Sequence, residues 1–219
     1  MALNNRRTQL ILNAGILLLL LASVFAQPMR AFALGSTDGE AVLPSFSEFS
    51  SSVQNGRADH VSGVYVPNHF ALPIVQQPYG SPGFVSSYND ILTQFRMANQ
   101  YGSVGLLAHN YLAGQEFFDL EVGNEVRLVH GDGKVEYFVV TEILEYQAMQ
   151  PNSVYSSFRD LETEEVLSVE QMFKRVFFGD RHVTFQTCIE KDGNLSWGRL
   201  FIIAIPKSEY EKLSPLYDM

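Results

Sequence analysis

Arg181-His182-Val183-Thr184-Phe185-Gln186-Thr187-Cys188, then Lys191-Asp192-Gly193-Asn194, then Arg199-Leu200-Phe201-Ile202-Ile203-Ala204-Ile205: the order is strand, turn, strand. The outer runs are rich in β-branched and aromatic residues, and the middle one carries turn formers. A hairpin of this kind places Cys188, at the first strand's exit, near Arg199, at the second strand's entrance. Cys188 is the single cysteine of the chain, so no disulfide can form within it. Three readings of the thiol remain: an intermolecular crosslink, a small buried apolar filler, or a nucleophile. A neighbouring cation favours the thiolate, the reactive form.

Outward from this hairpin the pattern stays mostly β. Glu125 to His130 and Val135 to Tyr146 flank Gly131-Asp132-Gly133-Lys134, a second hairpin signal. Val61 to Val66 and Phe70 to Val75 read as strands, with Pro73 suggesting a sheet edge. Val104 to Ala108 is a short apolar strand. Tyr88 to Asn99 reads as a helix, because Ile91, Phe95 and Ala98 share one face. Ser168-Val169-Glu170-Gln171 is a capping box. It opens a helix with Val169, Met172, Phe173, Val176 and Phe177 at core-facing spacing, closed by Gly179. Many short strands and two helices predict a mainly-β barrel or sandwich.

The N-terminus reads as an export leader. Arg6 and Arg7 precede a mostly apolar run from Leu10 to Ala26, and Ala31-Phe32-Ala33 offers a small-x-small cleavage site. The run is at the short end for a membrane span, so residues 1–33 are read as a signal peptide or an N-terminal membrane anchor. This predicts an extracytoplasmic protein, secreted or held at the outer face of the membrane. Residues 34–60, with a Ser- and Gly-rich start, read as a flexible tether. The formal charge is −9, and the only charges before Leu34 are Arg6, Arg7 and Arg30, so the remainder carries about −12. Spread acidity of this size disfavours nucleic acid or an anionic membrane surface as a partner.

A nucleophilic thiol needs a base or a cationic partner. Of the five histidines, His60 and His69 fall in early turns, and His130 at a hairpin end. His182 is six residues from Cys188 along one strand, about 20 Å away. His109 instead follows the apolar strand Val104-Gly105-Leu106-Leu107-Ala108 and precedes Asn110-Tyr111. It is a polar group where a buried strand reaches the surface, as Cys188 is.

Three motifs in order carry a family resemblance. They are Leu107-Ala108-His109-Asn110-Tyr111, Thr184-Phe185-Gln186-Thr187-Cys188 and Gly198-Arg199-Leu200. With Phe117 to Leu120 and Gly123-Asn124-Glu125-Val126, the chain resembles the sortases, cysteine transpeptidases, over about Val61 to Ile205. The resemblance implies a closed β-barrel of about eight strands with two or three short helices, spanning residues 61–206, with 207–219 as a C-terminal tail. It implies Cys188 as nucleophile, His109 as general acid and base, and Arg199 as the group that holds an oxyanion or substrate carbonyls. Thr187, Asn110 and Trp197 are implied as substrate-binding residues. The implied partners are a peptide sorting signal and an amine acceptor, with no cofactor and no metal. Ala108 stands where the family has glycine, and Phe185 where it has leucine. The long stretch from Tyr146 to Arg181 and the loop from Ile189 to Gly198 also depart from it, which leaves peptide specificity open.

Competing readings fit less well. The acidic groups around Glu116, Asp119 and Glu121, and around Glu162, Glu164 and Glu165, read as solvated surface. L,D-transpeptidases place arginine two positions after the cysteine, where this chain has Glu190. Papain-like peptidases place cysteine before histidine, the reverse of His109 and Cys188. A secreted β-barrel binding module without catalysis remains the alternative.

Overall fold

A computed structural model describes residues 43–153 and 155–213. The leader read at residues 1–33 lies outside the described residues. Ten strands form one sheet: β1 (Val61–Val66), β2 (Phe70–Gln76), β3 (Leu92–Phe95), β4 (Ser103–Leu107), β5 (Glu125–His130), β6 (Val135–Ala148), β7 (Phe158–Asp160), β8 (Val166–Leu167), β9 (His182–Lys191) and β10 (Asn194–Pro206). Their order is β10-β9-β4-β3-β2-β1-β5-β6-β7-β8, and β10 also pairs with β6. That last pairing closes eight strands into a barrel, which removes their open edges. The short β7–β8 hairpin is appended to the far end of β6. The architecture is the expected mainly-β, closed barrel of eight strands. β2–β3 and β4–β9 are parallel, and the remaining neighbours are antiparallel.

Alternation divides the apolar residues between two layers. Val64, Val66, Leu106, Val126, Leu128, Val183, Phe185, Leu200 and Ile202 fill the barrel. A second cluster lies outside it, where α2 (Val169–Phe177) covers Phe95, Leu107, Cys188 and Phe201 with Met172, Phe173, Val176 and Phe177. The capping box at α2 is present: Ser168 accepts from Gln171 N, and Gln171 returns a bond to Ser168 N. Gly105 lets this helix approach, since a Cβ there would stand 3.0 Å from Phe177 and Phe95. Among the described residues, no helix is long and apolar enough to cross a membrane.

Four expectations need correction. Residues 43–60 are not simply a tether. Ser45 and Glu48 form a capping box for α1 (Phe46–Ser52), which buries Phe49 against Tyr65 and fills the space above Gly63. Residues 88–99 are not a helix: β3 is a strand whose four residues are all buried, so no two-residue alternation marks it. Residues 98–101 then make a single 3₁₀ turn. Pro73 is not at an edge, because β2 lies between β1 and β3. Its missing N–H is tolerated because β3 joins only from Ile74 onward. Of the expected C-terminal tail, Lys207–Leu213 form a helix, α3.

Candidate active site

The three motif residues converge through strand register. β4 runs parallel to β9 with Leu107 beside Gln186, and Ala108 N continues the ladder by donating to Gln186 O at 3.2 Å. Thr187 Oγ1 then donates to Ala108 O at 3.0 Å. Advancing this register by two residues brings His109 level with Cys188. On the other side of β9, Arg199 of antiparallel β10 is the direct cross-strand partner of Cys188. Residues paired in this way share a face, with Cβ atoms about 5 Å apart. Cys188 therefore sits on the middle strand of three, between His109 and Arg199. The hairpin differs from its expected ends: β9 continues to Lys191, and β10 begins at Asn194. Cys188 and Arg199 lie within the ladder, and a bulge between Asn194 and Gly198 marks where it becomes irregular.

The backbone around His109 is held tightly. Leu112 N and Gly114 N both donate to His109 O at 3.0 Å. Gly114 cannot carry a side chain there: a Cβ would lie 2.4 Å from Thr187 Oγ1 and 2.7 Å from His109 O. The imidazole stacks on Tyr111, with ring centroids 5.2 Å apart and planes 19° apart. Tyr111 also lies close enough to Cys188 that a thiolate there would oppose its ionisation. Burial and that charge together push the Tyr111 hydroxyl above its ordinary pKa.

Arg199 is a fully buried cation, 1% exposed. Its Nη1 donates to Ser196 O at 3.0 Å and Gly198 O at 2.8 Å, so the hairpin loop grips the guanidinium by main-chain oxygens. Gly198 is itself confined, because a Cβ would lie 2.6 Å from Tyr146 O. Cys188 is 0% exposed. Burial pushes its thiol pKa up, and the Arg199 charge works against that rise. Burial lowers the Arg199 value, and a thiolate would raise it. The two effects are opposed by design of the pairing: the low-dielectric setting disfavours either charge alone and strengthens their attraction.

The expected substrate-binding residues are distributed around this centre. Thr187 points to Ala108 and ties β9 to the histidine strand. Asn110 Nδ2 donates to Leu195 O at 3.1 Å, which joins the His109 loop to the β9–β10 hairpin. Trp197 is half-buried and lies beneath Lys191, whose Nζ is 4.6 Å from the ring centroid. A cavity of about 270 Å³ lies between the segment that follows His109 and the β9–β10 hairpin, lined by Asn110, Tyr111, Gln115, Phe118, Ile189, Glu190 and Leu195. Tyr111, which the sequence shows only as the end of the histidine motif, and Gly114 take roles here that neither residue type signals without the fold. Among the described residues, no group of three or more His, Cys, Asp or Glu could hold a metal ion.

No family model matches the chain, and no curated protein matches it. Solved structures do resemble it, sortases among them. Sortase A of Listeria monocytogenes is 13% identical over 67% of this chain and 86% of its own, with a TM-score of 0.43. Sortase C-1 of Actinomyces oris is 14% identical over 76% and 84%, with a TM-score of 0.45. Sortase C1 of Streptococcus agalactiae is 18% identical over 92% and 86%, with a TM-score of 0.45. The likeness is one of fold, and any role for the side chains rests on their own geometry.

Proposed function

We propose that this chain is an exported, sortase-like cysteine transpeptidase that cleaves a C-terminal sorting peptide and passes it to an amine or to water. The observation that supports it is the row His109, Cys188, Arg199, with Cys188 and Arg199 paired across β9 and β10 and His109 two residues past the end of β4, on the other side of β9. In this reading the Cys188 thiol passes its proton to His109 as the sulfur attacks a peptide carbonyl, and a tetrahedral oxyanion forms. Arg199, charged and rich in donors, stabilises that oxyanion or holds neighbouring carbonyls. Collapse breaks the C–N bond, His109 protonates the leaving amine, and a thioester remains on Cys188. An incoming amine gives up a proton to His109, attacks the thioester and releases the Cys188 thiolate, to which His109 returns the proton. Water in its place gives hydrolysis. The leader suggests action at the outer face of a membrane, on exported proteins.

The complete burial of Cys188 favours a second reading, a non-catalytic β-barrel binding module. A buried thiol with a raised pKa is what an inert structural cysteine has. Catalysis requires that the cover over Cys188 open to substrate. The two readings separate by experiment. Mass spectrometry of the wild-type chain with a cleavable peptide library should detect a thioacyl adduct on Cys188, and Cys188→Ala should form none. A wild-type thiol that stays unmodified by peptide and by a small alkylating reagent at neutral pH would exclude catalysis.

A further inference from the structure

Gln186 is 0% exposed, and neither its amide nitrogen nor its amide oxygen has a hydrogen-bond partner among the described residues. Its backbone is well used, since Gln186 O accepts from Ala108 N; only the carboxamide is left over. Other buried polar side chains on β9 are satisfied. Thr184 Oγ1 donates to Val176 O at 2.6 Å, and His182 contacts Asp180 O and Val176 O at 2.7 and 3.1 Å. Buried polar groups are nearly always paired, so an exception this close to a candidate nucleophile calls for a reason. Alternation supplies the location: residues two apart on a strand share a face, so Gln186 and Cys188 project together. Both lie on the side of β9 that α2 covers. Both are wholly buried there.

We infer that Gln186 is a substrate-reading residue whose carboxamide pairs with the main chain of an extended peptide bound across Cys188. The inference rests on the reading of Cys188 as the acyl-accepting thiol. The chemistry selects the ligand class. A carboxamide offers one acceptor and a pair of donor hydrogens on adjacent atoms. In an extended peptide the N–H and C=O of one residue point to the same side, so they meet that carboxamide in a two-bond ring. An aliphatic side chain at this position would pack as well and cost nothing to bury. Gln186 therefore weakens the ligand-free fold and strengthens the complex, a trade seen where function opposes stability.

The test uses the full chain with Cys188→Ala, so that binding is read without turnover. Capped hexapeptides from a random display library are selected on it, and the tightest binder is then N-methylated at each residue in turn. One N-methylation should weaken binding about tenfold with Gln186 present and leave Gln186→Met unaffected, the scale of one or two hydrogen bonds. Gln186→Met should also raise the Tm by a few degrees, because a desolvated and unmade amide is removed. A lower Tm would mean that the amide is satisfied in the ligand-free protein, and would overturn the inference. Equal sensitivity of both proteins to every N-methylation would overturn it too, while leaving the functional reading intact. A library that yields no binder would remove both.

Discussion

Replacing Arg199 by lysine separates charge from geometry at the candidate active site. Both side chains are cations, but only the guanidinium is a planar fork with five N–H donors. In the structure that fork is committed: Nη1 reaches two main-chain oxygens, Ser196 O and Gly198 O, at 3.0 and 2.8 Å. A lysine ammonium is a single point at the end of a flexible stem. It can retain one of these bonds or approach the oxyanion, not both. Loss of one oxyanion donor costs about a hundredfold in rate, or about 2.7 kcal/mol of transition-state stabilisation at 1.36 kcal/mol per decade. Disturbing the bonds to the loop costs a further 1.5–3 kcal/mol, roughly, this time in stability, because the donor is charged and fully buried. The assay is kcat/KM for Arg199→Lys and wild type on one peptide, alongside urea midpoints and the alkylation rate of Cys188 by a small reagent. The expected pattern is a hundredfold fall in kcat/KM, a lower urea midpoint and a thiol that still alkylates. Values of kcat/KM within about threefold of each other would reduce Arg199 to a residue that closes the hairpin.

Thr187→Val keeps shape and removes the hydroxyl that bonds Ala108 O. It should cost about 1–3 kcal/mol by chemical denaturation, since the Ala108 carbonyl is left wanting, and lower kcat more than it raises KM. Tyr111→Leu removes the aromatic ring stacked on His109. A ring face stabilises an imidazolium by about 0.5–1 kcal/mol, so the basic limb of the pH–rate profile should move down by about half a pH unit. Tyr111→Phe should leave that limb in place, and an equal displacement in both variants would show that the ring is not responsible.

Where the chain alternates cleanly or carries turn chemistry, the fold could be read in advance. The hairpin of β5 and β6 announced itself through Gly131-Asp132-Gly133-Lys134, and α2 through its capping box and apolar stripe. β3 could not be read. All four of its residues are buried, including Thr93 and Gln94, and Ile91, Phe95 and Ala98 recur at a spacing that imitates a helix. Its strand state comes from parallel pairing with β2 and antiparallel pairing with β4, a tertiary effect outweighing local pattern. α1 was obscured for a different reason. Ser45 and Glu48 are a capping signal, but the Ser- and Gly-rich surroundings read as a tether, and only the packing of Phe49 on Tyr65 makes the helix worth forming. At the site, the order of His109, Cys188 and Arg199 was visible in sequence. That Cys188 is wholly buried in the layer α2 packs on, and that Gln186 lies on the same face with an unpaired amide, depends on which face of β9 the helix covers. Nothing in the linear pattern says so.

The burial of Cys188 makes a prediction at alkaline pH that needs no substrate. Burial raises its pKa in the fold, opposed by Arg199, whereas in the unfolded chain the thiol ionises near its ordinary value of about 8.5. A group that holds its proton more tightly when folded contributes stability that is intact below the unfolded pKa and is lost as pH rises through the window up to the folded one. For a thiol that stays protonated in the fold, the loss reaches at most about 2 kcal/mol by pH 10, at 1.36 kcal/mol per unit. Tyr146 follows the same logic at a higher range. Its hydroxyl is pushed up to about 12, by burial first and then by Asp160, so its window opens only above about pH 10. Between pH 8.5 and 10 the slope should therefore belong mainly to Cys188. Unfolding free energies measured across that range should fall more steeply for wild type than for Cys188→Ala, with Tyr146→Phe following wild type until about pH 10. Parallel curves for wild type and Cys188→Ala would mean that the thiol already ionises in the folded protein as it does in the unfolded chain. In that case the Arg199 charge offsets burial in full, and the Cys188 thiol ionises in the fold at its ordinary value.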